Sequence, residues 1–238
     1  MRDTEHHLFY SSGIEDDRIT LDESESNHAI SVLRIKEGER IQITDGKGTV
    51  FECKCDTFPK RTISCAVLNK TVIPKIVPEL TLLIGIPDKE PFETVIEHAT
   101  ALGVSRIVPL VMDHCRKPWW ESWDKTAPRF TSKMIVSMKQ CLYPYIPQLD
   151  KPVCLKEILD TSPKPLIIAD QHGEVLQDDR LIPQTKLSCL IGPPGGFSTE
   201  EKKTLESHTV LTVKIARQRL RTELAAAVLC SRIMAASL

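Results

Sequence analysis

From Glu79 onward, short apolar runs alternate with segments of helical periodicity, and this alternation limits the fold more than any other feature of the chain. Leu80 to Ile86 is an almost unbroken apolar run, the mark of a strand buried on both faces. Pro91 to Leu102 then puts Phe92, Val95, Ile96, Ala99 and Leu102 on one helical face, with Gly103 placed as the stop. Ile107 to Val111, Leu166 to Ala169, Leu187 to Ile191 and Val210 to Ile215 read as further strands. Helices are predicted over roughly Asp124 to Leu142, Ser198 to about Ser207, and Thr222 to Ala236. Strands joined through helices cannot pair as hairpins, so residues 79–238 predict an α/β domain with a mostly parallel sheet.

The chain before this point has a different period. Ile41 to Thr44 alternates, Asp45-Gly46-Lys47-Gly48 is a turn, and Thr49 to Cys55 alternates again, which is the pattern of a hairpin. Thr62 to Leu68 adds a strand, and His28 to Ile35 reads as one short helix, with the polar run Ser24 to Asn27 ahead of it as its cap. Val72 to Pro78 carries two prolines, which neither continue a helix nor sit in a central ladder. The expected organisation is a small β-barrel over residues 1–71, a linker over 72–78, and the α/β domain over 79–238.

Composition narrows the class. The 238 residues are 41% apolar and 26% charged with a net charge of −1, which excludes collagen-like, coiled-coil and disordered chains. The apolar runs fall short of the roughly 18 residues that a bilayer span needs. The first residues lack the apolar core of a secretory signal, so the expected location is the cytoplasm, with no membrane partner. Eight cysteines are spread without a CxxC pair; they are expected to be reduced, mostly half-buried thiols, and no metal site is expected. Cys53 and Cys55 should share one strand face. The near-neutral balance nominates no partner, but Lys214, Arg217, Arg219 and Arg221 crowd into eight residues and make a local positive site.

Two segments carry candidate chemistry. Ile191-Gly192-Pro193-Pro194-Gly195-Gly196-Phe197-Ser198 runs from a strand end through a glycine-rich turn into a helix start, where Ser198 and Glu201 fit a capping box. Paired glycines let backbone approach a ligand, and strand ends are where open α/β sheets bind ligands, although a plain tight turn has the same composition. The loop is neither a phosphate-binding P-loop nor a dinucleotide fingerprint. In the second segment a strand runs through Arg217-Gln218-Arg219-Leu220-Arg221-Thr222-Glu223 into an alanine-rich helix, and either bidentate phosphate contacts or a solvated basic loop accounts for it.

Together, Ile191 to Ser198 and, about twenty residues on, Leu220-Arg221-Thr222-Glu223-Leu224-Ala225-Ala226 resemble the ribosomal RNA small-subunit methyltransferase E family of the SPOUT superfamily. Asn27 to Arg34 is similar to the RNA-contacting segment of that family, Thr100 to Leu110 to its first helix-to-strand passage, and Gln140 to Pro147 to a later one. The resemblance implies a PUA-like β-barrel followed by a SPOUT domain with a C-terminal trefoil knot, acting as a homodimer. It also implies transfer of a methyl group from S-adenosylmethionine to N3 of a uridine in 16S rRNA, the substrate being rRNA within the small ribosomal subunit. Carried over by position, the cofactor would lie on Ile168, Ala169, Ile191, Gly192, Gly195, Gly196, Ile215, Leu220 and Thr222. Arg221 would stabilise the developing uracil anion, with Glu223 orienting it or assisting the proton. His28, Arg34, Arg217 and Arg219 would contact RNA, and no metal is required.

The sequence departs from the family pattern at Pro194, where glutamate is usual, and at Ala101, Tyr143, Ala216 and Leu224. A SPOUT enzyme with another target nucleotide and a catalytically silent rRNA-binding protein are the two alternatives. The last helix is apolar nearly all round, so it needs cover on most sides, from its own monomer or from a dimer partner.

Overall fold

The computed structural model describes residues 7–15, 17–57, 62–116, 118–176, 185–206 and 210–236. The chain divides into two compact units, one built from residues 1–75 and 135–146, the other from 76–134 and 147–238.

In the first unit, β1 (Leu8–Tyr10), β2 (Arg18–Thr20), β3 (Arg40–Thr44), β4 (Thr49–Thr57) and β5 (Ser64–Val72) form a sheet of order β1-β3-β4-β5-β2. The β1–β3 pair is parallel and the other pairs are antiparallel. Residues of all five strands, among them Phe9, Ile19, Ile43, Phe51 and Cys65, meet in one buried cluster, so the sheet curls round a single core. The hairpin lies where the alternation put it. Asp45 Oδ1 accepts from the N–H groups of Lys47 (2.7 Å) and Thr49 (3.1 Å), and Gly46 and Gly48 take φ of +69° and +104°, which a β-carbon would disfavour. β5 runs on to Val72, so the strand enters the stretch read as linker.

The helix starts earlier than its periodicity implied. Asp22 is the cap, accepting from Glu25 N–H at 2.8 Å, and Ser24 to Asn27 lie inside α1 (Glu23–Asn27) rather than ahead of it. A π-helical segment, His28–Leu33, continues it and ends at Arg34, which takes a left-handed φ of +58°. The unit also takes in residues 135–146, which sequence had placed with the α/β domain. The Tyr145 hydroxyl donates to Ile73 O (2.7 Å), Gly48 N–H donates to Pro144 O (2.8 Å), and Lys139 pairs with Glu25. A β-carbon on Gly48 would lie 2.1 Å from the Tyr145 hydroxyl, so this position requires glycine.

The second unit is a parallel sheet of order β12-β10-β11-β6-β7-β8, with β9 also on β7. Its strands are β6 (Glu79–Gly85), β7 (Arg106–Val111), β8 (Gln148–Leu149), β9 (Val153–Cys154), β10 (Leu166–Val175), β11 (Lys186–Ile191) and β12 (Val210–Lys214). The helices are α2 (Lys89–Ala101), α3 (Trp123–Cys141, which continues into the first unit's segment), α4 (Leu155–Leu159), α5 (Thr199–Glu206) and α6 (Thr222–Ala235). Leu80, Leu82, Leu83, Ile84 and Ile86 are fully buried, as a central strand covered on both faces requires. α2 buries Phe92, Val95, Ile96 and Ala99, and Gly103 ends it with φ +76°. Short β8 and β9 had no sequence signal, and β10 extends past Ala169 through a register shift against β12. The predicted end of α5 near Ser207 falls outside the described residues.

Phe92, Trp119, Trp123 and Phe130 pack with ring centroids 5.0–6.2 Å apart. Glu93, on α2, meets Arg129 Nε at 2.7 Å and Lys133 Nζ at 3.5 Å. Burial acts to raise the pKa of Glu93, but the hydrogen bonds and charges of Arg129 and Lys133 outweigh it and hold this carboxyl below its ordinary value. Of the cysteines, five are buried rather than half-buried, because they lie on inward strand or helix positions; Cys53 and Cys55 do share the inner face of β4.

Candidate functional site

Because its strands are parallel, the second unit gathers the carboxyl ends of β6, β11 and β12 on one side, and the loops leaving them, with Ala169 to His172 of β10, line a cleft of about 690 Å³. The volume falls within the range of about 300–1,000 Å³ usual for cofactor sites.

The glycine-rich loop leaves β11. Gly196 N–H donates to Pro193 O at 2.8 Å, closing a four-residue turn in which Pro194 takes the second position. Proline is favoured there, since its fixed φ suits the turn and its missing N–H has no partner to lose. Past the turn, Ser198 N–H donates to Glu201 Oε2 (2.8 Å) and Glu201 N–H to Ser198 Oγ (3.2 Å), so the capping box is formed. Glu201 Oε1 accepts from Asp113 N–H (2.9 Å), and His114 Nδ1 lies 3.0 Å from Gly196 O, which fastens the loop to the chain after β7. β6 supports its other side: a β-carbon on Gly85 would lie 2.4 Å from Pro193 N.

The basic loop leaves β12 and reaches α6, whose N-cap is Arg221 with extended backbone and no capping side-chain bond. Two bonds tie it to the glycine-rich loop: Arg219 NH2 donates to Pro194 O (3.1 Å) and the Thr222 hydroxyl to Gly192 O (3.3 Å). Arg219, an RNA contact by family resemblance, therefore also braces the loop. Arg221 is exposed and Glu223 half-buried, and among the described residues neither makes an ion pair or hydrogen bond with the other.

The cleft brings together Ala169, Ile191, Gly192, Gly195, Gly196, Ile215, Leu220 and Thr222, with Arg219, Arg221 and Glu223 beside them. Four expected site residues lie elsewhere. Ile168 is buried in the core and lines a neighbouring hollow of about 220 Å³, because alternation along β10 turns it away when Ala169 faces the cleft. Arg217 is exposed and does not line the cleft. His28 and Arg34, in the first unit, are exposed on and just after its helical segment.

Sequence reasoning missed Pro87, Asp88 and Pro91 from the β6–α2 junction, and Arg116 and Lys202. The strand-end rule applied to Leu80–Ile86 would have found the first three. Arg116, Lys202, Lys214, Arg219 and Arg221 outnumber the carboxylates Asp88, Asp170 and Glu223 around the cleft, so its field favours an anionic ligand. The lining fits an amphipathic cofactor: Ile191, Ile215 and Leu220 offer apolar surface, and a β-carbon on Gly196 would meet nothing within 4 Å, leaving that backbone open to a ligand.

A family model for an RNA methyltransferase domain matches residues 75–234, and one for an RNA methyltransferase PUA domain matches residues 21–54. The ribosomal RNA small subunit methyltransferase E of Aquifex aeolicus is 28% identical, over 96% of this chain and 99% of its own. A Legionella pneumophila protein in complex with the bound cofactor SAM superposes with a TM-score of 0.85 at 26% identity, covering 96% of this chain and 97% of that one. The ribosomal RNA small subunit methyltransferase E of Neisseria gonorrhoeae bound to S-adenosyl methionine shares the fold, with a TM-score of 0.84 at 21% identity over 96% of this chain and 97% of that one. The first unit is thus PUA-like and the second has the parallel sheet of these methyltransferases. Since the methyltransferase model spans most of the chain, the protein belongs to the RNA methyltransferase family, as a divergent relative of the proteins named ribosomal RNA small subunit methyltransferase E.

Proposed function

We propose that this protein transfers a methyl group from S-adenosylmethionine to N3 of a uridine in 16S rRNA, within the small ribosomal subunit. The observation that carries this reading is the convergence of the two motif loops, Gly192–Gly196 and Ile215–Thr222, on one cleft together with Arg221. The names of the curated relatives support the substrate, and the Legionella complex supports the cofactor.

When bound, S-adenosylmethionine supplies an activated methyl carbon. Ala169, Ile191, Ile215 and Leu220 provide apolar walls for it, and the backbone around Gly192, Gly195 and Gly196 and the Thr222 hydroxyl provide polar partners. Positioning of two bound reactants supplies most of the rate enhancement in such a displacement. Arg221 lies free at the head of α6 and stabilises the charge that builds on the uracil ring, with the half-buried Glu223 beside it. His28, Arg34 and Arg217 are exposed cations or donors suited to RNA phosphates, and Arg219 adds its charge at the cleft rim.

The active form in this reading is a cytoplasmic homodimer in which the second unit folds with a C-terminal trefoil knot and the first unit binds RNA. Leu224, 49% exposed near the start of α6, gives the dimer an apolar contact next to Arg221. Among the described residues no helix is long and apolar enough to cross a membrane.

Calorimetric titration with S-adenosylmethionine tests the assignment. Saturable binding that Thr222→Val and Gly195→Val each weaken is expected; absence of binding by folded protein would refute it.

A further inference from the structure

The charge of the cleft does not match the charge of the cofactor. Arg116, Lys202, Lys214, Arg219 and Arg221 line it, against the carboxylates of Asp88, Asp170 and Glu223. S-adenosylmethionine carries a sulfonium, an α-ammonium and one carboxylate, so at neutral pH it is itself a cation. A cleft built for this molecule alone would gain nothing from an excess of positive charge, because like charges raise the cost of binding. A polyanion that enters beside the cofactor accounts for the excess.

Among these cations Arg116 stands apart by its place in the sheet. In the order β12-β10-β11-β6-β7, the strands that carry or lead into the apolar walls Ala169, Ile191 and Ile215 lie on one side of β6, and β7 lies on the other. Gly85 pairs with Leu110, so the chain after β7 leaves the sheet beside the β6–α2 junction. That chain is firmly held. Cys115 N–H donates to Met112 O at 3.0 Å, which closes a turn, and the Cys115 thiol lies 3.5 Å from Leu110 O. Asp113 accepts from the Ser198 hydroxyl at 2.5 Å, and the bonds of Asp113 N–H to Glu201 and of His114 to Gly196 O secure the same turn to the glycine-rich loop.

Arg116 follows this anchored turn directly. It is exposed, lines the cleft and makes no hydrogen bond or ion pair among the described residues. Arg219, by contrast, already donates to Pro194 O. Lys202 and Lys214 are point charges, whereas a guanidinium presents a planar fork of donors that matches two phosphate oxygens. Arg116 thus combines a fixed backbone, unspent donors and a place across β6 from the cofactor walls.

We infer that Arg116 is an RNA-binding residue that grips a backbone phosphate beside the target uridine. The inference rests on the methyltransferase function proposed above, and it gives the arginine a role in binding and register rather than in the methyl transfer itself. With Arg116 on the β7 side and the basic loop on the β12 side, the strand is held on both flanks of the base, which sets one uridine rather than its neighbour against the methyl group.

The test titrates the fluorescently labelled full-length protein with small ribosomal subunits lacking the modification, read by anisotropy across a salt series. The demethylated cofactor is present so that no turnover intervenes. Wild type is compared with Arg116→Ala, Arg116→Lys and Lys203→Ala; cofactor affinity, kcat at saturating subunits and the thermal midpoint are measured in parallel. Lys203 is the control, since it is exposed on α5, pairs with Glu200, lies outside the cleft lining and carries the same charge. Arg116→Ala should weaken subunit binding about 10-fold and lower the slope of log K on log salt by about 1, with kcat and cofactor affinity within about twofold of wild type. Arg116→Lys should keep the slope and recover part of the affinity, because the charge remains and the fork does not.

Unchanged affinity and slope in Arg116→Ala overturn the inference. An equal loss in Lys203→Ala also overturns it, since bulk charge alone would then be acting, and so does weakened cofactor binding with subunit affinity intact, since Arg116 would then hold the cofactor carboxylate. A loss that only follows a lowered thermal midpoint, in both Arg116 variants, counts against it as well. A folded wild type that transfers no methyl overturns the proposed function and this inference with it; an active wild type whose subunit affinity is indifferent to Arg116→Ala overturns the inference alone.

Discussion

Gly85→Ala tests the physical link between the sheet and the cofactor loop. The added β-carbon would lie 2.4 Å from Pro193 N, 2.5 Å from Pro193 Cδ and 2.9 Å from Gly192 C, where ordinary contacts begin at 3.4 Å. Two of these three atoms are backbone and the third is in a proline ring, so no flexible side chain can swing aside. The loop and β6 must separate by about 1 Å, and overpacking of this kind costs about 1–3 kcal/mol. At about 2–4 °C per kcal/mol for a chain of this size, the thermal midpoint should fall by about 2–12 °C. The displaced loop carries the backbone groups proposed to meet the cofactor, and loss of one or two such hydrogen bonds, about 1–3 kcal/mol, weakens cofactor binding about 5- to 150-fold. Equilibrium dialysis with labelled S-adenosylmethionine and scanning calorimetry read the two effects. Gly13→Ala, where a β-carbon would meet nothing within 4 Å, is the control and should change neither. An unaltered midpoint and affinity in Gly85→Ala would refute the claim that β6 buttresses the loop.

Other perturbations separate the remaining roles. Arg221→Ala should lower kcat by about 100-fold with a smaller effect on cofactor affinity, as expected for a group that stabilises transition-state charge; single-turnover methyl transfer at saturating cofactor checks it, and unchanged turnover would remove Arg221 from the mechanism. Arg34→Ala should weaken RNA binding and reduce the salt slope of log K by about 1 while leaving cofactor affinity intact, and filter binding across a salt series reads both. Glu93→Gln should cost on the order of 1 kcal/mol at neutral pH, since Arg129, its main partner, is largely exposed and screened. Because the folded pKa of Glu93 is depressed, its contribution is present above the unfolded value and lost as pH falls through the folded one, so wild type and Glu93→Gln should converge in stability toward acid pH in urea titrations. Parallel curves across that range would contradict the ion-pair account.

What sequence could show depended on whether the signal was local. The buried run of β6, the face of α2, the stop at Gly103 and the two motif loops all follow from neighbours within a few residues, and each stands where its pattern put it. Asp88 did not stand out because Asp88-Lys89-Glu90-Pro91 has the composition of any helix start, and only the pairing of β6 with β11 brings it to the cleft. The start of α1 was misjudged for a local reason: Ser24 to Asn27 is rich in cap-forming residues, but Asp22 forms the cap first. The return of residues 135–146 to the first unit depends on Tyr145 fitting over Gly48, a contact across almost a hundred positions that no periodicity encodes. The departure at Pro194 became intelligible only with the turn in view, because the turn requires no N–H from that residue.

Methyl transfer to a uridine of small-subunit rRNA is the reaction on which the roles of these residues depend. Its most direct measurement is incubation of small ribosomal subunits lacking the modification with the protein and methyl-labelled S-adenosylmethionine, followed by digestion of the 16S rRNA and mass spectrometry of the nucleosides. Labelled 3-methyluridine at one site, absent with Arg221→Ala, is the expected result. Unlabelled rRNA from a folded, cofactor-binding protein, or label confined to another nucleoside, would contradict it.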